Sequence, residues 1–92
     1  MTNSVFQFPS DLTIYQVQDI LVGLRDAWAQ GTRHFDMSQL GNIDTSGAQL
    51  LASLAKTAVG QREDIFWQGW TGDAIASISA LGFKQLVESV GQ

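Results

Sequence analysis

Short segments rich in β-branched and aromatic residues predict β-strands at three places in the chain. They cover residues 5–8, 33–37 and 64–70, and the pattern predicts a brief further strand at residues 12–14. The segment at 64–70 is almost continuously apolar. Such a run is typical of a strand that is covered on both faces or lies next to a partner.

Between these segments the apolar residues recur every three or four positions, which predicts amphipathic helices. The first helix begins at Tyr15 and ends at Gly31, and its apolar stripe is Val17, Ile20, Leu21, Leu24 and Trp28. The second runs from near Ser46 to Val59, with a buried stripe of Leu50, Leu51, Leu54 and Ala58. A third helix starts at residues 71–73, and a short final helix covers residues 83–90.

Strands that alternate with helices predict an α/β fold in which the helices pack on the sheet. A chain of 92 residues has the size of one domain. We therefore expect a single domain over residues 1–92, with a small mixed sheet of about four strands packed by about four helices.

Charge and composition exclude several classes of partner. The formal net charge is −4, and the five Lys and Arg residues are scattered, so no basic stripe forms for nucleic acid. The chain has no Cys and no apolar run long enough to span a bilayer. Its first residues lack the basic and apolar regions of a signal peptide. We expect a cytoplasmic protein without direct membrane insertion, whose Gln-, Ser- and Ala-rich surface suits contact with other proteins.

The sequence also lacks an obvious catalytic set. It has no nucleophile elbow and no phosphate loop, and its one His, His34, lies on a predicted strand opposite Phe35. Asp36 and Asp44 could meet at neighbouring strand ends, but no third metal ligand is evident. We predict no enzymatic activity, no cofactor and no metal site.

The sequence Asp44-Thr45-Ser46-Gly47 stands where the second helix begins. Asp, Thr and Ser are all preferred helix caps, so capping alone accounts for these residue types. A hydroxyl at this place is also suited to carry a phosphate, because the helix start partly stabilises negative charge. Both interpretations are open from the residues alone.

These residues resemble the STAS domain, a family named for sulphate transporters and anti-sigma factor antagonists. The resemblance rests on residues 12–15 before the first helix, residues 35–38 followed by residues 43–47, and the apolar positions of the second helix. Residues 75–86, with Leu81-Gly82-Phe83, resemble the family's carboxyl-terminal helix and the step after it.

The resemblance implies a bacterial signalling switch that binds an anti-sigma factor or serine kinase-like protein and is released when its loop is phosphorylated. It places the acceptor hydroxyl at Ser46, with Thr45 as the alternate. It assigns partner binding to Asp44, Thr45, Ser46 and Gly47, where Gly47 would admit a partner backbone. The docking face would continue along the helix through Gln49, Ala52 and Ser53.

Three alternatives stay open at this point. The chain could be the STAS subunit of a lipid-transport ABC complex, in which Thr45 contacts an ATPase subunit without being modified. It could also be a chemotaxis-associated STAS module. A further alternative is a small-molecule or lipid sensor that uses Trp70 and the apolar strand at 64–70, where an exposed aromatic side chain would mark a contact surface. Neither the oligomeric state nor the branch of the family follows from the sequence.

Overall fold

The computed structural model describes residues 4–90, with side chains as far as residue 87. Over these residues the chain forms five strands and four helices, which confirms the predicted α/β class. The elements are β1 (Val5–Gln7), β2 (Asp11–Leu12), α1 (Ile14–Ala29), β3 (His34–Asp36), β4 (Asn42–Ile43), α2 (Thr45–Gly60), β5 (Phe66–Gln68), α3 (Gly72–Ala80) and α4 (Lys84–Val90).

The strands form two sheets, one of three strands and one of two, and all of their pairings are parallel. Strand β3 lies between β1 and β5, with Phe35 opposite Phe6 on one side and opposite Trp67 on the other. Strand β2 pairs with β4, where Leu12 lies opposite Ile43. The short β4 was absent from the sequence prediction because two residues are too few to show a period.

The core lies between one face of the three-stranded sheet and the helices. Leu24 of α1 and the predicted stripe of α2 are buried, as the helical periodicity predicted. Phe35 of β3 is fully buried, and so are Phe8 and Met37, which directly follow β1 and β3. Phe6 and Trp67 pack against the same cluster. Consecutive strand residues point to opposite faces, so Val5, His34 and Phe66 form a row on the other face.

The exposure of that second face rules out one of the two explanations for the apolar segment at 64–70, coverage on both faces; contact with a partner stays a prediction. Strand β5 pairs with β3 alone, and the Phe66 side chain is 53% exposed, so the described residues do not cover it on both faces. Right-handed crossovers place α1 and α2 on the same side of a parallel sheet, which leaves its other side open. The apolar run of β5 is therefore explained on one face only.

A polar cluster joins the carboxyl-terminal ends of α1 and α2. The Arg33 guanidinium stacks 3.7 Å from the Trp28 ring centroid and pairs with Glu63 at 3.0 Å. The indole nitrogen of Trp28 donates to Gln61 Oε1 at 3.1 Å. Trp28 thus packs against the core, as its place in the stripe predicted, while its polar edge joins this surface cluster.

Candidate functional site

Asp44 is the residue that caps α2. It follows β4 in an extended conformation, and its Oδ1 accepts a hydrogen bond from the backbone N–H of Gly47 at 3.0 Å. The helix therefore begins at Thr45, one residue earlier than the sequence predicted. One carboxylate oxygen supplies the cap that a Ser or Thr hydroxyl supplies in other helices.

The second oxygen of the same carboxylate reaches the other helix. Asp44 Oδ2 accepts a hydrogen bond from the backbone N–H of Ile14, the first residue of α1, at 2.9 Å. Helix α1 also has its own capping box, formed by Thr13 and Gln16. The Asp44 carboxylate thus ties together two helix starts, where the positive ends of both dipoles favour a negative charge.

This environment lowers the pKa of the Asp44 carboxyl below its ordinary value. The largest cause is the hydrogen bond from the Gly47 N–H, followed by the bond from the Ile14 N–H. Both bonds favour the charged form of the acid. Asp44 is therefore ionised at neutral pH and carries a fixed negative charge at the point where the helices meet.

The two neighbouring hydroxyls are left unused by the cap. Thr45 is exposed and Ser46 is half-buried. In the described part of the chain, neither hydroxyl has a hydrogen-bond partner from the protein. Capping by Asp44 therefore accounts for the helix start without either hydroxyl.

A surface groove of about 490 Å³ opens beside Ser46. It runs along the outward face of α2, between the start of α1 and the segment that precedes α4. Its lining residues are Ile14, Val17, Ser46, Gln49, Leu50, Ala52, Ser53, Lys56 and Phe83. The structure thus brings four of the seven predicted contact residues to one groove: Ser46, Gln49, Ala52 and Ser53. Thr45 is not part of this lining.

Gly47 has a different role from the predicted one. It is buried, and a Cβ atom at this position would lie 1.9 Å from the carbonyl oxygen of Leu12. The close approach that requires a glycine is therefore made by β2 of the same chain. The prediction that Gly47 admits a partner backbone is corrected accordingly, since no partner is needed to explain this glycine.

The sequence prediction missed the residues that other elements contribute to the groove. Ile14 is 60% exposed at the groove wall, and the adjacent Tyr15 is 87% exposed. Tyr15 lies off the apolar stripe of α1, and an aromatic residue in that position was the available signal for a contact surface. Phe83 reaches the groove only through tertiary packing, for which the local sequence carries no signal.

The other candidate residues lie outside this groove. His34 stacks on Phe66 on the open face of the sheet, with ring centroids 4.8 Å apart. Asp36 accepts a hydrogen bond from the backbone N–H of Ser38, which lowers the pKa of its carboxyl. Among residues 4–90, as far as they are described, no three His, Cys, Asp or Glu side chains cluster in a way that could hold a metal ion. Trp70 is half-buried against Trp67 and does not line the groove.

Comparison with protein-family models, with curated proteins and with solved structures gave no match to this chain. The STAS resemblance therefore stays a prediction that rests on the residues quoted for it. None of the helices in the described part of the chain combines the length and the apolar character needed to cross a bilayer.

Proposed function

We propose that this chain is a non-enzymatic binding module whose groove beside Ser46 accepts a partner protein, and that phosphorylation of Ser46 weakens this contact. The observation that carries the proposal is that the residues at the start of α2 have different roles. Asp44 alone supplies the cap, while the Ser46 hydroxyl has no partner among the described residues and lies in the groove wall.

The chemistry of the lining favours a protein partner with a particular character. Ile14, Val17 and Phe83 offer apolar contact, and Lys56 is the charged side chain in this wall. A partner segment with apolar anchors and an acidic group facing Lys56 would complement it. The lining holds no carboxylate and no imidazole, so it offers no acid–base pair for catalysis.

Phosphorylation would change this surface through charge. A phosphate on Ser46 adds a charge of about −1.5 to −2 at neutral pH. It would stand two residues from the ionised Asp44 and beside apolar groove residues, so burying it under a partner would be costly. The amino terminus of α2 would still stabilise the modified side chain in water.

Ser46 is the preferred acceptor because it lines the groove and Thr45 does not. The STAS resemblance supports the same position, and it makes an anti-sigma factor or a serine kinase-like protein the expected class of partner. In the alternative, a transporter ATPase subunit would contact Thr45 directly. No contact in the groove favours that arrangement over the first.

Mass mapping of the protein isolated from its own cells tests the proposed modification. We expect a peptide spanning residues 34–56 that carries one phosphate, with fragment ions that place it on Ser46. A Ser46→Ala variant expressed in parallel should lose the phosphate, and a Thr45→Ala variant should keep it. Absence of phosphate from Ser46 under growth, starvation and stress would contradict the switch.

A further inference from the structure

We infer that Asp44 is a positioning residue through which a charge on Ser46 acts on the α1 side of the groove. The inference deepens the proposed function, because it gives the physical link between the modified hydroxyl and the binding surface. It rests on the two hydrogen bonds that one carboxylate makes to two different helices.

The two bonds have different consequences for the fold. The bond to Gly47 is local and caps α2 across three residues. The bond to Ile14 spans thirty residues of chain and joins the start of α1 to the start of α2. Ile14 of α1 and Ser46 of α2 both line the groove. This second bond therefore sets how the two helix starts lie against each other at the groove.

The start of α1 can lose this bond without unfolding. Its capping box, made by Thr13 and Gln16, is independent of Asp44 and holds the first turn. Losing the bond to Asp44 therefore frees the start of α1 to move relative to α2 and leaves the helix itself intact. The exposed side chains of Ile14 and Tyr15 would move with the released segment, and Ile14 lines the groove where a partner would dock.

A phosphate on Ser46 competes directly with Asp44. Both anions would seek the same unpaired N–H groups at the start of α2, and their like charges repel. The modified side chain can take over the local cap, because it belongs to the same helical turn. Asp44 then withdraws from the junction, and the N–H of Ile14 loses its acceptor.

The test is a four-way comparison by backbone amide NMR of the full chain. The forms are the unmodified protein, the protein with phosphoserine incorporated at Ser46, Asp44→Ser, and Asp44→Ser with the same phosphoserine. Serine is a good helix cap but has a single short oxygen, so Asp44→Ser keeps the cap of α2 and removes the link to Ile14. Phosphoserine in place of the exposed Ala29, at the far end of α1, controls for added charge.

We expect the phosphate to shift the amide signals of Ile14 and Val17 in the natural sequence, moving the Ile14 amide proton upfield towards its position in Asp44→Ser. In the Asp44→Ser background the same phosphate should leave both signals nearly unchanged, which is the signature of coupling through Asp44. Equal shifts in both backgrounds would overturn the inference, because the phosphate would then act directly. Unchanged signals in the natural sequence would also overturn it.

If Asp44→Ser does not fold, which its amide dispersion would reveal, Asp44→Asn replaces it, because Asn also caps helices and has one acceptor oxygen. Because phosphoserine is installed during synthesis, a negative result here refutes the coupling alone. Failure of the cell to phosphorylate Ser46 refutes the proposed function alone.

Discussion

Replacing Gly47 by Ala tests how the start of α2 is packed against β2. A Cβ atom added at Gly47 would lie 1.9 Å from the carbonyl oxygen of Leu12 and 2.9 Å from its carbonyl carbon. Real Cβ atoms essentially never come closer than 3.0 Å to a non-bonded heavy atom from another part of the chain, so one of the two backbones must move by more than 1 Å. The Leu12 backbone cannot move easily, because Leu12 pairs with Ile43 and is fully buried.

The expected loss of stability follows from two opposing effects. Overpacking of a buried site costs about 1–3 kcal/mol, and the clash with a backbone atom places this site at the upper end. Ala at a helical position recovers up to about 1 kcal/mol relative to Gly. We expect Gly47→Ala to lower the free energy of unfolding by about 2 kcal/mol, which corresponds to about 10 °C in melting temperature for a domain of this size.

Urea denaturation followed by circular dichroism measures this difference, with Gly23→Ala as the matched control. Gly23 lies within α1, and a Cβ there would meet only the Phe6 ring at 3.5 Å, an ordinary contact. The control should therefore be neutral or stabilised by up to about 1 kcal/mol. A Gly47→Ala protein within about 0.5 kcal/mol of the natural one would refute the packing described for this junction.

Three further predictions concern other parts of the fold. Asp44 stabilises the protein above its unfolded pKa, because its folded-state pKa is lowered. The stability difference between the natural protein and Asp44→Ser should be full above about pH 5 and should shrink as the pH falls through the lowered folded-state pKa. A difference that acid denaturation finds unchanged would contradict this. Arg33→Ala should cost about 1 kcal/mol in urea denaturation, since it removes the stack on Trp28 and a partly exposed ion pair, whereas Arg33→Lys should recover only part of it. Phe66→Ser, on the open face of the sheet, should lower the free energy of unfolding by less than about 1 kcal/mol. Trp67→Ala, on the covered face, should lower it by about 3 kcal/mol. Equal losses of stability would mean that both faces are covered.

The helices were predictable because their apolar periodicity is long and regular. The stripe of Leu50, Leu51, Leu54 and Ala58 was predicted from spacing alone, and all four side chains are buried. A helix of sixteen residues repeats its pattern over several turns, so the signal accumulates. The strands here are only two or three residues long. Their presence therefore depends more on the strands they pair with than on any local sequence pattern.

The residues that α2 contributes to the candidate groove could be predicted from the sequence, but the other elements that meet α2 there could not. Ser46, Gln49 and Ser53 follow from one helical face, and they do line one groove. The contact from Asp44 to Ile14 joins residues thirty positions apart, and no local pattern reports such a pair. The role of Gly47 was misassigned for the same reason, because the backbone that approaches it comes from β2. Short-range preferences describe a helix start, but they do not say which other element meets it.

Affinity capture with two forms of the immobilised chain tests the central proposal most directly. One form is unmodified, and the other carries phosphoserine at Ser46. The same extract from the protein's own cells is passed over both, and a chain with phosphoserine in place of Ala29 serves as the charge control. We predict that a partner retained by the unmodified chain and by the control is lost from the chain phosphorylated at Ser46. Retention of the same proteins in equal amounts by all three forms would contradict the proposal that the groove beside Ser46 is a phosphate-controlled binding surface.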